Sequence, residues 1–160
     1  MSEIWRPYIV VAAVVERDGR FLLVEERETN GMLTLNQPGG LLEAGESLQQ
    51  AVVREALEES AYDFHPDGFL GTYHLNYRMP DGSDISYIRF AFTGSVGTLH
   101  NRPLDPDIIR TVWMTRDEIA SCLERHRSAV VMQCIEDYVT GQKAPLSYVS
   151  QYKFINRAAS

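Results

Sequence analysis

Residues Gly40 to Tyr62, GLLEAGESLQQAVVREALEESAY, constrain this chain more than any other stretch. Ser47 with Gln50 three residues later makes a capping-box pattern and places a helix start near Ser47. At about 100° per residue, Leu48, Ala51 and Val52 share one face. Glu55 and Glu59 follow on that face, with Glu58 flanking them. A helix that buries its first turns against a core therefore points these carboxylates at the core too. They also lie near the helix C-terminus, where the macrodipole disfavours negative charge. Three crowded, partly desolvated carboxylates are costly unless a cation neutralises them. All-oxygen ligation suits a hard divalent ion, Mg²⁺ or Mn²⁺. The competing reading of such a charge run is a solvated acidic helix face.

The order of the other residues separates these readings. Gly40, Glu46, Arg54, Glu55, Glu58 and Glu59 fit the spacing Gly-x5-Glu-x7-Arg-Glu-U-x-Glu-Glu-x-Gly-U, with U a bulky aliphatic residue. The stretch thus resembles the signature of the Nudix hydrolase family. Ala56 and Tyr62 stand where bulky aliphatics are usual, and Ala61 stands where the signature has its last Gly. A Gly there would cap the helix in a left-handed conformation, for which Ala is disfavoured by roughly 1 kcal/mol. Ala61 carries no ligand, so a modified helix end is expected rather than a lost site.

Around this helix the chain reads as alternating strands and turns. Tyr8 to Val15 is a β-branched apolar run, Asp18-Gly19 a turn, and Arg20 to Glu25 a second strand, together a hairpin. Glu26 to Thr34 reads as a loop, and Leu35 to Gly40 (LNQPGG) leads into the helix. Asp63 to Gly68 reads as a connection. Phe69 to Arg78 and Ile85 to Ser95 read as strands around the turn Pro80 to Ser83, a second hairpin. Leu99 to Pro106 is a Pro-containing loop and Ile108 to Met114 a short strand. Thr115 caps a helix expected to reach Arg125, and a second helix is expected over Ser128 to Thr140, with Val131, Ile135 and Val139 on one face and Gly141 as its stop. These patterns alone give an α/β or α+β chain with a mixed sheet covered on both faces.

The resemblance implies more: an α/β (α+β) fold, the Nudix-like α/β/α sandwich with a mixed β-sheet, over residues 7–140, followed by a C-terminal tail, 141–160. It implies cleavage of a phosphoanhydride in a nucleoside diphosphate linked to another moiety, with Mg²⁺ or Mn²⁺ as cofactor. The ion would be held by Glu55, Glu58 and Glu59 with the backbone carbonyl of Gly39. Glu59 would bridge metals, and Glu55 is a candidate general base. Arg54 would orient Glu46 or Glu55, a role suited to a bidentate, always charged group. Asp107 stands in a loop where relatives carry an acid. Beyond the signature, Asn36-Gln37-Pro38, Phe21 to Glu26 and the Gly141 to Leu146 segment resemble the NudJ-type phosphatase branch of bacteria. That branch releases orthophosphate from nucleoside tri- and diphosphates and from a thiamine pyrimidine pyrophosphate. Asn36, Gln37, Tyr77 and Asp107 are the candidate substrate contacts, and Tyr73, Tyr77, Tyr87 and Trp113 a candidate stacking surface. The rival readings are a nucleotide-sugar or dinucleotide pyrophosphatase that releases nucleoside monophosphate, and a non-catalytic nucleotide-binding regulator of the same fold.

Charge bears on partners. A net charge of −7 argues against a nonspecific nucleic-acid or anionic-membrane surface, and a phosphate-bearing small molecule would need local cations. No apolar run has transmembrane length, and MSEIWRPYIV lacks the pattern of a signal peptide. Cys122 and Cys134 fall in expected helices without metal-ligand spacing and read as buried reduced thiols of a cytoplasmic protein. His65, His74, His100 and His126 form no spaced cluster. The expected assembly is a monomer or homodimer.

Overall fold

The computed structural model describes residues 4–152. Residues 1–3, where the N-terminal segment begins, and 153–160, the end of the expected tail, lie outside the described residues. Seven strands and three α-helices follow in the order β1 (Tyr8–Arg17), β2 (Arg20–Arg27), β3 (Leu33–Asn36), β4 (Gly39–Leu41), α1 (Leu48–Ser60), β5 (Tyr62–Arg78), β6 (Asp84–Leu99), β7 (Ile108–Thr115), α2 (Arg116–Ala120) and α3 (Val130–Val139). The strands form one mixed sheet in the order β3-β2-β1-β6-β5, with β4 added to β1 and β7 to β2. β1 and β6 run parallel, Tyr8 opposite Tyr87 through Val15 opposite Gly94. The other pairs are antiparallel.

The centre of β1 explains the layering. Val11 to Val15 are all buried, so both faces of that strand are covered. Val11, Ala13 and Val15 pack in a cluster with Ala51, Val52 and Ala56 of α1. Val14 joins the opposite cluster with Val131, Cys134 and Ile135 of α3. Successive strand residues point to opposite faces, so a continuous apolar run is what a sandwiched strand needs.

The first expected hairpin is real but short. β1 and β2 pair only at Glu16 with Phe21 and Arg17 with Arg20, beside the Asp18-Gly19 turn, where both residues have positive φ. Beyond that point β1 turns to β4 and β6, and β2 to β3 and β7. The second hairpin, β5–β6, runs from Tyr62 opposite Leu99 to Arg78 opposite Asp84.

Several sequence-based boundaries move. The segment expected as a loop and lead-in contains β3 and β4, which are four and three residues long. Strands that short carry too little alternation to be read, and their pairing with β2 and β1 creates them. Asp63 to Gly68 is strand, not connection, with Phe64 buried. Its Pro and Gly signals arise because Pro66, Gly68 and Gly71 flank register shifts against β6, where bulges tolerate them. The helix expected to reach Arg125 ends at Ala120, and a separate 3-10 turn spans Leu123–Arg125. In α3, Val131 and Ile135 are buried with Cys134, whereas Val139 is half exposed. Cys134 is a buried free thiol, but Cys122 lies just past α2 and is only partly buried. The segment after α3 packs on the sheet: Ala144 pairs with Phe69, and Leu146 and Val149 join the cluster under α1.

Helix α1 starts as its sequence requires. The Ser47 hydroxyl accepts the Gln50 N–H at 3.0 Å, and the Gln50 side chain accepts the Ser47 N–H at 2.8 Å. Ser47→Ala should therefore lower stability by about 1 kcal/mol. In a chain of this size that is a fall in Tm of roughly 2–4 °C. An unchanged Tm in thermal unfolding would show that core packing alone sets the helix start.

Candidate active site

Gly40 lets α1 approach the sheet closely enough to build a site, and Gly39 lets β4 lie close against β1. A Cβ on Gly39 would lie 2.1 Å from the Val11 carbonyl oxygen, and one on Gly40 would lie 2.5 Å from the Glu55 carboxylate. The Gly39 N–H donates to Glu59 Oε2 at 2.9 Å. On α1, the buried Ala51, Val52 and Ala56 anchor the helix, and Glu55 and Glu59 on the same face are only 8% and 9% exposed. Ala61 closes the helix in the left-handed conformation, φ 61°, and its N–H donates to the Leu57 carbonyl. The missing Gly thus leaves the cap geometry intact.

Arg54 binds the acidic residues into one network. Its Nε and Nη2 donate to the two oxygens of Glu46 at 3.0 and 2.6 Å. Nη1 donates to Glu55 Oε1 at 2.8 Å and Glu58 Oε2 at 3.0 Å, and Nη2 also reaches the Leu41 carbonyl at 2.9 Å. The Arg54 bonds hold the Glu46 carboxyl below its usual range. Bidentate geometry of this kind fixes side-chain direction as well as charge.

A third carboxylate joins Glu55 and Glu59. The loop before β7 is tied to the end of α1 by the Asp105 N–H, which donates to the Glu58 carbonyl at 3.0 Å. This sets a carboxylate oxygen of Asp105 within 4.8 Å of oxygens of Glu55 and Glu59. Asp107 is the acid expected in this loop from the sequence. Asp107 lines the same cleft but is exposed, and its carbonyl accepts the Arg27 N–H at 2.8 Å. The Leu104-Asp105-Pro106-Asp107 pattern offered two acids around a Pro, and only the docking of the loop on α1 selects between them.

These groups open on a cleft of about 750 Å³ that Glu43, Glu58 and Arg127 also line. A second pocket of about 410 Å³ adjoins it, lined by Asn36, Leu75, Tyr77, Tyr87 and Arg89. Glu26, Glu28, Thr29, Gly40 and Arg127 border both. Gln37 lines neither: it is 1% exposed, donates to the Val131 carbonyl at 2.8 Å, and accepts from Arg89 Nη1 at 3.1 Å. Tyr73 donates to Asp137 under α3, and Trp113 packs edge-on to Tyr62 with Arg17 over its face. Of the four expected stacking aromatics, Tyr77 and Tyr87 alone face the pocket. No histidine lines either cleft; His100, for example, pairs with Asp63 and His126 with the Ile119 carbonyl.

The electrostatics fit a hard cation. Among the described residues, Glu59 and Asp105 have no cationic partner within ion-pair distance, and every donor in the cluster is oxygen. Burial pushes the Glu59 carboxyl up to about 8, reinforced by Glu26, Glu55 and Asp105 and opposed by the Gly39 N–H. Burial raises Glu55 too, against the pull of Arg54. Such a donor set suits Mg²⁺ or Mn²⁺ and repels itself without one.

A raised carboxyl makes the metal-free fold pH-dependent. Because the folded value of Glu59, about 8, exceeds its ordinary 4.5, the folded state holds a proton that the unfolded state releases. The stabilisation is therefore complete below the ordinary value and lost as pH rises through the folded one. In EDTA, Tm of the wild type should fall from pH 5 to 8.5 relative to Glu59→Gln, which should be as stable or more so at the upper end. Parallel Tm curves would show that Glu59 does not carry the effect.

Comparison with known proteins agrees with this geometry. A family model described as the NUDIX domain matches residues 5–134. Phosphatase NudJ of Escherichia coli strain K12 is 33% identical over 151 residues, covering 94% of this chain and 95% of that protein. The NUDIX hydrolase from Nitrosomonas europaea superposes with a TM-score of 0.87 at 43% identity, covering 92% of this chain and 98% of that one. The NUDIX domain of Shewanella oneidensis NrtR, solved with ADP ribose, shares the fold with a TM-score of 0.66 at 21% identity over 86% of this chain and 89% of that one. The mixed sheet, the helix bearing Glu55, Glu58 and Glu59, and these matches together make the chain a member of the Nudix hydrolase family.

Proposed function

We propose that this enzyme is a Mg²⁺- or Mn²⁺-dependent hydrolase that releases orthophosphate from nucleoside tri- or diphosphates or from a small pyrimidine pyrophosphate. The observation that carries the reading is the buried carboxylate cluster beside an aromatic pocket that shares five lining residues with its cleft. Glu55, Glu58, Glu59 and Asp105, with the Gly39 carbonyl, would hold the ion. When bound, a divalent ion offsets phosphate charge and lowers the pKa of its water.

The chain's own groups do the rest. Arg54, itself held by both oxygens of Glu46, fixes one oxygen each of Glu55 and Glu58 and leaves the other to the cleft. The Gly39 N–H fixes one oxygen of Glu59 and leaves the other open. Glu55 Oε1 is held by Arg54, so its second oxygen can take the proton of the attacking water. Arg127, ion-paired with Glu26, lines both clefts and puts a cation where a phosphate chain would run. The same reading has a small-molecule substrate, no nucleic-acid or membrane partner, a cytoplasmic setting, a monomer or homodimer, and a catalytic domain of residues 7–140 with a 141–160 tail. The net charge of −7, the free thiols, and the lack of a long apolar helix among the described residues support it.

Activity should vanish in EDTA and return with Mg²⁺ or Mn²⁺; full activity in chelator would sink the metal assignment. Arg54→Met should lower activity about 10–100-fold, as loss of a ligand-orienting group does. Product analysis in ¹⁸O-labelled water decides the bond cut. Label in orthophosphate, with nucleoside diphosphate appearing first from a triphosphate, supports the reading. Nucleoside monophosphate as first product would instead identify a pyrophosphatase, and absence of hydrolysis across a nucleotide panel would favour a binding regulator.

A further inference from the structure

The sheet face beneath α3 is only partly covered. Strand residues two apart share a face. On β6, Ala91 is buried with Val14, Val131 and Ile135 under α3. The next residues on that face, Arg89, Tyr87 and Ile85, line the 410 Å³ pocket instead, with Leu75 and Tyr77 of β5 beside them. Tyr77 and Tyr87 meet edge to face, with ring centroids 5.8 Å apart. The helix thus stops short, and an aromatic-lined pocket ends at one buried cation.

Arg89 is 7% exposed and has no carboxylate within ion-pair distance among the described residues. Of the five N–H donors a guanidinium carries, two meet oxygen, Nη1 to Gln37 Oε1 at 3.1 Å and Nη2 to Asn36 Oδ1 at 3.0 Å. Both acceptors are neutral amides. Buried cations are ordinarily paired. Asn36 also links Arg89 to an acid: its Nδ2 donates to Glu26 Oε1 at 3.5 Å. Glu26 Oε2 accepts no hydrogen bond from the described residues. Gln37, locked to the α3 backbone at Val131, holds the guanidinium from below. A donor and an acceptor therefore both stand on the wall of an aromatic pocket, with the Asn36 amide between them.

We propose that Arg89 and Glu26 read the edge of a heteroaromatic ring, Arg89 donating to a ring acceptor and Glu26 accepting from the neighbouring ring donor. The ligand class is a purine or pyrimidine with an acceptor beside an N–H donor. The inference rests on the functional reading above, because the ring must be joined to phosphates lying in the adjacent cleft. It makes Arg89 the specificity-determining residue and Asn36 and Gln37 its positioning residues.

Two measurements test it. The first is the ¹⁵N–¹H signal of the Arg89 Nε group, assigned by its loss in Arg89→Lys or Arg89→Met. With Mg²⁺ present, at least one of the common nucleoside monophosphates should shift it. The same nucleotide methylated at its ring N–H, ribose 5-phosphate and inorganic phosphate should not. The second is the ratio of kcat/KM on the best nucleoside triphosphate to that on inorganic tripolyphosphate, which carries no ring. Arg89→Met should lower the nucleotide value roughly ten- to hundredfold through KM, the loss expected for one charged hydrogen bond, and leave tripolyphosphate unchanged. Arg89→Lys should fall between, keeping charge without the two-point fork. A signal that no nucleotide moves, or an equal fall on both substrates, would overturn the proposal. Wild-type protein that hydrolyses neither substrate yet shows the ring-dependent shift would overturn the functional reading and leave the ring site standing. The wild-type spectrum decides the matter even where Arg89→Met does not fold.

Discussion

Close approach of α1 to the Gly39-Gly40 strand is the constraint on which the site depends. Any side chain at Gly39 would meet the backbone of β1, and any at Gly40 would meet the Glu55 carboxylate. With both absent, β4 lies close against β1, and the helix sits close enough to bury Glu55 and Glu59 and to let the Gly39 N–H bond Glu59. Burial raises the cost of these charges, and Arg54 reaches only Glu46, Glu55 and Glu58 among them. Glu59 and Asp105 are left to a cation from solution, and that unmet charge is the chemical capacity of the cluster.

The second pocket arises from a different shortage. α3 covers one end of its sheet face and leaves the other open, so Tyr77, Tyr87 and Arg89 line a cavity where a longer helix would have buried them. The two openings share Glu26, Glu28, Thr29, Gly40 and Arg127. On the proposed reading, carboxylates at one end and an aromatic wall with a buried guanidinium at the other would suit a molecule with a phosphate end and a ring end. β2 and the loop after it supply much of the shared border, which explains why β2 must leave β1 after two residue pairs and run to β3 and β7.

Local signals were strongest where the chain makes its own structure. The Ser47–Gln50 box, the helix face of Glu55 and Glu59, the Thr115 cap with Glu118, and the turns at Asp18-Gly19 and Pro80 to Ser83 are contacts within a few residues, and all are present. Misreadings fell where a distant partner decides. β3 and β4 exist through β2 and β1. Pro66 and Gly68 sit in a strand because bulges against β6 absorb them. Gln37 looked like a ligand contact by its neighbours in sequence, yet its side chain is consumed by Val131 and Arg89.

Resemblance of Gly40 to Tyr62 to a signature pointed to the family, and periodicity along one helix put Glu55 and Glu59 on a shared face. Tertiary structure alone decided that Asp105 rather than Asp107 joins Glu55 and Glu59, since that depends on one backbone bond from the loop to Glu58. It alone selected Tyr77 and Tyr87 from four candidate aromatics and brought Arg89 beside Asn36 and Glu26. Such choices rest on strand register and on where a helix ends over a sheet. Residues more than fifty positions apart set them, and no local pattern records their meeting.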